Sequence, residues 1–474
     1  MASVGAVVGA PRVRTFLGHP LGLGYLVFAE AWERFSYYGM MSLLVLYMGQ
    51  QLLLPGHVEH VAGFAAFRRA IEGVYGHLSP AALASAIFGL YAGLVYLTPI
   101  AGGILADRVL GRTRTVALGA VLMAIGHFLM AFEVSFLIAL TCLLVGVGCF
   151  KGNIATQVGE LYAPGDLRRA DAFQVFLLGV NVAVIISPLV CGTLGQKVAW
   201  HWGFGAAGVG MLIGLSVYLS GRKWLPPDTG RRTRTAGAGE VRAPRPKLAA
   251  SEIKTIAVLV ALLPVLALAG LGNQQIFNAY LVWGNANYNL VFFGQSMPVT
   301  WLISLDAIIS SVTIVASVAF WRWWAKRRRE PQEITKLAIG TLIAGLAPLA
   351  LSVASFQQAA SGHKVGLFWG LVFHIVNDIG FANIFPVGLA LFSRAGPRAI
   401  AGMIIGVYYL NLFASNMLVG WLGGFLDPLG GVKFWALHAG LVFGAGVALF
   451  AFRAAFGRIL SPTVDPEAVA AAGA

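Results

Sequence analysis

Charge is scarce in this chain. Asp, Glu, Lys and Arg make up 11% of its 474 residues, against about 25% in soluble domains, which excludes an ordinary water-soluble fold. Cysteine is nearly absent. Its three copies, Cys142, Cys149 and Cys191, all fall in apolar runs, so a disulfide framework or a cysteine metal site is not expected, and they read as small packing residues. The sequence also lacks a metal-ligand cluster, a nucleophile motif and a glycine-rich phosphate loop for ATP-driven pumping. No enzyme and no cofactor is expected. A cleavable leader is not expected either, because the basic N-terminal tail runs into a full-length span that carries charge.

What is present is apolar length. Hydrophobic residues reach 58% and mean hydropathy is +0.78. Stretches able to cross about 30 Å of hydrocarbon run over 24–49, 82–106, 113–133, 135–160, 171–196 and 199–220. A second group runs over 254–286, 299–325, 333–356, 365–393, 398–427 and 430–452. The reading is an all-α polytopic membrane protein of about twelve helices in two six-helix halves, 1–220 and 254–474. The halves are joined by 221–253, a basic linker rich in Pro, Gly and Ala without apolar periodicity.

The net charge of +14 does not point to nucleic acid, because its placement is one-sided. On the twelve-helix reading, 26 of the 33 Lys and Arg lie on the face of the N-terminal tail and the linker. The opposite loops hold only Arg68, Arg69, Lys197, Lys364 and Lys433. By the positive-inside rule both termini are cytoplasmic, in what is expected to be a bacterial inner membrane.

The first span, FAEAWERFSYYGMMSLLVLYM, contains Glu30, Glu33 and Arg34. Each would cost several kcal/mol facing lipid, so they face a protein interior or a watery cavity. At 3.6 residues per turn they share one stripe with Tyr37 and Tyr38. Burial favours a protonated carboxyl and a nearby cation an ionised one, so two carboxylates beside one guanidinium form a candidate proton-coupling group.

Between the second and third spans, GGILADRVLGRTRT places Asp107, Arg108 and Arg112 in a tight turn. This segment resembles the cytoplasmic-loop motif of the major facilitator superfamily, in which Asp and Arg tie helix ends together and gate access. Within that superfamily the chain resembles the proton-dependent oligopeptide transporters. Glu30, Glu33 and Arg34 with the following YYG match the ExxER signature of that family's first helix. YAGLVYLTP matches the second helix, CFKGNIATQVGELY the fourth with Lys151 and Asn153 in register, and FLLGVNVAVIISP the fifth with Asn181. FPVGLALFSRAGPRAIAGMIIGVYYLN resembles the tenth and eleventh.

The resemblance has gaps. Where the family has an arginine after YYGM, paired with an acid on the seventh helix, this chain has Met41 and Asn273; removing both charges avoids a lone buried ion. Phe381 replaces the tenth-helix glutamate that pairs with the fourth-helix lysine. Asp378, one turn away, is the expected replacement partner for Lys151, and Asp306 is the alternative or a proton-binding group.

The resemblance implies a proton-coupled symporter that imports di- or tripeptides or related small zwitterions by alternating access, with protons as the coupling ion. Glu30, Glu33, Arg34, Lys151, Asp378 and Asp306 are the coupling candidates, with Lys151 also holding a ligand carboxylate. Tyr37, Tyr38, Tyr91, Asn181, Asn273, Gln274, Tyr408 and Tyr409 are the candidate cavity lining, and Asp107, Arg108 and Arg112 the gate. A monomer in the lipid bilayer is expected. The alternatives are a member with altered substrate, such as another organic anion, or a non-transporting membrane sensor. A histidine switch finds little support, since His127, the best-buried candidate by sequence, has no acid within a helical turn.

Overall fold

The computed structural model describes residues 15–163, 165–228 and 248–460. Its helices make twelve membrane passes. Ten are long and apolar enough by themselves to qualify as spans. The other two are Leu21–Tyr47, which carries the three charges of the polar stripe, and Arg112–Leu129, which opens on Arg112 and Arg114. Arg12 and Arg14 of the basic tail lie outside the described residues.

In chain order the first half comprises Leu21–Tyr47, Pro80–Leu110, Arg112–Leu129, Glu133–Glu160, Arg168–Lys197 and Trp200–Ser220. The second comprises Ala250–Ala269 with its continuation to Asn287, then Trp301–Ala325, Glu333–Ser361, Phe368–Ala395, Ala401–Gly423 and Leu426–Leu460. These are called the first to twelfth passes. The expected spans match them to within a few residues, except that the twelfth runs to Leu460, eight residues beyond the expected end, and the seventh is not continuous. That pass breaks into Ala250–Ala269, a short helix Leu271–Gln274, a tight turn at Gln275–Phe277 and a last helix Ala279–Asn287. Asn278 at the break has non-helical φ −120° and ψ −108°.

Other passes break beside proline, which lacks an N–H and disfavours helix in the residue before it. The second pauses at 95–97 ahead of Pro99, and the tenth at 382–384 ahead of Pro386. An amphipathic helix, Phe64–Tyr75, lies between the first two passes and buries Phe64 and Ile71. The linker is not featureless at its start. Asp228 Oδ1 accepts from the Thr113 amide at 2.9 Å, capping the third pass; residues 229–247 lie outside the described residues.

The two halves are hydrogen-bonded to each other at one end, and deeper in the bundle Tyr96 stacks on Tyr409. Every hydrogen bond between them among the described residues lies on the face opposite the basic loops. Asn278 donates to Ser85 (2.6 Å), Ser304 to the Ile185 carbonyl (2.7 Å) and Trp301 to Thr193 (2.8 Å). Thr300 donates to Gln196, and Lys197 to Ser296. No ion pair joins the halves among the described residues. At this far face the second and eleventh passes cross through glycine. A Cβ added to Gly89 would lie 2.5 Å from the Asn416 carbonyl oxygen and from Gly420 Cα, so only glycine permits so close an approach.

Candidate functional site

The polar stripe of the first pass is buried inside the first half, with Glu30, Glu33 and Arg34 at 5%, 0% and 4% exposure. Arg34 Nε sits 3.0 Å from Glu30 Oε1 and 2.5 Å from Glu33 Oε2. Those separations are ion-pair contacts without hydrogen-bond alignment. Glu30 Oε2, both Glu33 oxygens, and Arg34 Nε and Nη2 have no aligned partner among the described residues. The cluster therefore has one more carboxyl than guanidinium and spare bonding capacity, which is what a group that exchanges a proton or a ligand requires.

Aromatic residues enclose it. The Tyr37 ring lies 5.4 Å from the Arg34 guanidinium and meets Tyr38 edge-on at 5.2 Å. Tyr91 is buried with its hydroxyl unpaired, and Tyr38 contacts Phe277 of the seventh pass at 5.9 Å. Gly39, the glycine of the YYG run, is forced by packing, since a Cβ there would lie 2.6 Å from Cys191 Sγ.

Lys151 does not pair with Asp378 in this structure. Its ammonium lies over the ring of Tyr96 at 4.8 Å, within electrostatic range of Glu30, Glu33 and Arg34, and no carboxylate is in ion-pair reach among the described residues. The two residues lie on passes of different halves, the fourth and the tenth, and no hydrogen bond or ion pair joins these two passes among the described residues. Asp306 is not its partner either. Asp306 Oδ1 is 2.8 Å from His374 Nδ1, and Asp378, 1% exposed, accepts from Asn377 at 3.3 Å.

Of the remaining lining candidates, Tyr409 stacks on Tyr96 at 6.3 Å across the halves, and Gln274 accepts from Asn416 at 3.2 Å. Tyr408 is turned away, its hydroxyl donating to the Phe385 carbonyl at 2.7 Å. Asn181 is exposed, and neither it nor Asn273 is brought to the cluster by a side-chain hydrogen bond among the described residues. A cavity of about 710 Å³ opens toward the basic face, lined by Ala155, Thr156, Gly159 and Glu160 of the fourth pass, with Arg169 and Phe173. Tyr162, Pro226 and Pro227 complete the lining, so all of its residues belong to the first half and the start of the linker.

At the basic face Arg112 reaches Asp107 at 3.4 Å and also pairs with Glu160, tying the second, third and fourth passes. Arg108 makes no ion pair among the described residues. Sequence reasoning missed Glu160, although it ends the fourth-pass motif. It also missed Tyr96, five residues after Tyr91, and His374, whose partner is 68 residues distant.

The POT family model matches residues 113–232. Peptide transporter YePEPT of Yersinia enterocolitica subsp. palearctica serotype O:3 (strain YE-P4) is 29% identical, covering 87% of this chain and 89% of that protein. A di-/tripeptide transporter of Lactococcus lactis subsp. cremoris is 29% identical, covering 84% and 88%. The crystal structure of a peptide transporter POT in complex with sulfate superposes with TM-score 0.78 at 27% identity, covering 94% of this chain and 97% of that one. A mutant of a peptide transporter POT in complex with alafosfalin gives TM-score 0.79 at 28% identity, with the same coverage. Over most of its length the chain is similar to peptide transporters of the POT family. It has the major-facilitator fold and is not an enzyme. Met41 is buried in the apolar core and Asn273 is half-buried, so neither position at which the resemblance places a gate charge carries one. Phe381 stacks on Phe385 at 5.8 Å, an apolar wall at the position where the resemblance would place an acid.

Proposed function

We propose that this protein is a secondary transporter that moves di- or tripeptides, or related small zwitterions, together with protons by alternating access. The observation that carries the reading is the buried Glu30, Glu33 and Arg34 cluster with its unpaired oxygens. One carboxylate stays on the guanidinium while the other takes or yields a proton, and conformational change redistributes the contacts. Lys151 supplies the cation for the ligand's carboxylate, with Tyr37, Tyr38, Tyr91, Tyr409 and Gln274 around the ligand body. Names of relatives such as the di-/tripeptide transporter support the substrate class.

With the basic face cytoplasmic, the gate formed at the far face is the outer gate, closed here. In this reading residues 1–220 and 254–474 move as two units in the cytoplasmic membrane, and the protein works as a monomer. The Phe381 wall favours a second reading, in which the ligand is a zwitterion with an apolar body rather than a general peptide. Purified protein in liposomes, given labelled dialanine and competing zwitterions under an inwardly directed pH gradient, tests both. Gradient-dependent accumulation supports the transporter, the competition profile selects the substrate class, and no accumulation of any zwitterion refutes the proposal.

A further inference from the structure

The second half contains a buried polar group that the scheme above does not use. His374 of the tenth pass is held from both sides: Nδ1 lies 2.8 Å from Asp306 Oδ1 of the eighth pass, and Nε2 lies 2.9 Å from the Tyr280 hydroxyl of the seventh. His374, Tyr280 and Tyr288 are at 0% exposure and Asp306 at 8%. Asp378 on the tenth pass is in electrostatic range of Asp306 and has Oδ2 unpaired.

The groups facing the pair can be enumerated by element. The seventh pass offers Tyr280 and Tyr288, the eighth Asp306 and the tenth Asp378; the ninth, packed along the tenth, carries its only charged side chains, Glu333 and Lys336, at the opposite, basic-face end, paired with Arg394 and Glu330. The fifth pass meets the eighth through Ser304 and a backbone carbonyl. On the twelfth, Trp435 touches Phe373, and His438 is engaged by Gln275 and the Phe434 carbonyl. No Lys or Arg is in ion-pair reach of either acid among the described residues.

We propose that Asp306 and His374 together bind one exchangeable proton, and that loading it closes the far-face gate. With the proton the pair has no net charge, as carboxyl and imidazole or as carboxylate and imidazolium. Without it, a carboxylate remains beside a neutral imidazole in a closed pocket. A buried charge without a cation is strongly disfavoured, so proton loss favours a state that admits water.

The helices that would part to admit it are those that form the gate. Asn278, two residues before Tyr280, donates to Ser85 at 2.6 Å, and Ser304, two before Asp306, donates to the Ile185 carbonyl at 2.7 Å. The proton comes from water at that face, and no covalent bond other than that to the proton changes. The inference rests on the proton-coupled reading only in taking protons as the driving ion.

The test reads the gate rather than transport. Spin labels at Val74 and Phe293, both exposed and on opposite halves, are placed after Cys142, Cys149 and Cys191 are replaced by alanine, and the distance distribution is followed from pH 8 to 5. In the otherwise unaltered protein the closed-to-open ratio should rise on acidification, by up to about tenfold per pH unit for one linked proton. His374→Gln and Asp306→Asn should flatten that dependence, while Gly103→Ala, whose added Cβ meets nothing within 4 Å, should leave it in place. A ratio independent of pH before these substitutions overturns the proposal, as does an undiminished slope in His374→Gln. If that variant does not yield monodisperse protein, an undiminished slope in Asp306→Asn overturns it equally. A protein that accumulated no peptide in liposomes would refute the transport reading without touching this result.

Discussion

Substituting Gly89→Ala should hold the far-face gate open. The added Cβ would sit 2.5 Å from the Asn416 carbonyl oxygen and from Gly420 Cα, and 2.7 Å from the Gly420 nitrogen. All three atoms are backbone, so no rotamer change relieves the clash. Reaching an ordinary contact of about 3.5 Å requires the second and eleventh passes to separate by about 1 Å. Overpacking of this kind costs about 1–3 kcal/mol, and it falls only on the state in which the two passes are in contact. The closed-to-open ratio should therefore drop by about 5- to 150-fold. Gly103→Ala, on the same pass with nothing within 4 Å of the new Cβ, is the control. A cysteine at Ala84, 2% exposed beside Ser85, reports the opening through its rate of reaction with a water-soluble maleimide. Gly89→Ala should accelerate that reaction and Gly103→Ala should not. Equal rates in the two variants would refute the claim that this crossing is the closed gate.

Two further outcomes follow from the charge distribution. Met41→Arg should impair function by burying an unpaired cation, and adding Asn273→Asp should restore part of it; a double variant no better than Met41→Arg in liposome exchange would separate the two positions. Outside the membrane, the Glu72 carboxyl accepts from Arg68, His77 and the Leu78 amide, which hold it down to about 2. Because it is lowered from 4.5, its support for the turn after Phe64–Tyr75 is present above the ordinary carboxyl range and lost as pH falls through about 2. Hydrogen exchange at the Leu78 amide, corrected for intrinsic rate, should lose protection over that window in the unaltered protein and show no such acid transition in Glu72→Gln.

Much of the fold was legible because apolar runs of spanning length dominate every other local preference. Glu30, Glu33 and Arg34 were legible for the opposite reason, since three charges in one such run have few places to go. The breaks were harder. Asn278 interrupts the seventh pass without a proline, and what fixes it there is its bond to Ser85 across the halves, a tertiary fact. Phe64–Tyr75 carries its apolar residues at helical spacing, yet it is too short to register as a span. Lys151 and Asp378 failed as a pair because helical phase identifies the face of a residue, not which end of the bundle is closed. His374 was missed because its partners lie on two other passes, and His127, buried more conspicuously in sequence, has no hydrogen-bond partner among the described residues.

The central claim is that the Glu30, Glu33 and Arg34 cluster couples protons to transport. Proteoliposomes containing Glu33→Gln, and separately Glu30→Gln, should be compared with unaltered protein for two rates: accumulation of labelled dialanine under an imposed pH gradient, and its exchange without a gradient. The account predicts that uphill accumulation is abolished in each variant while exchange persists, because a fixed neutral amide mimics the protonated carboxyl and removes coupling before it removes binding. Undiminished uphill accumulation in both variants would contradict it.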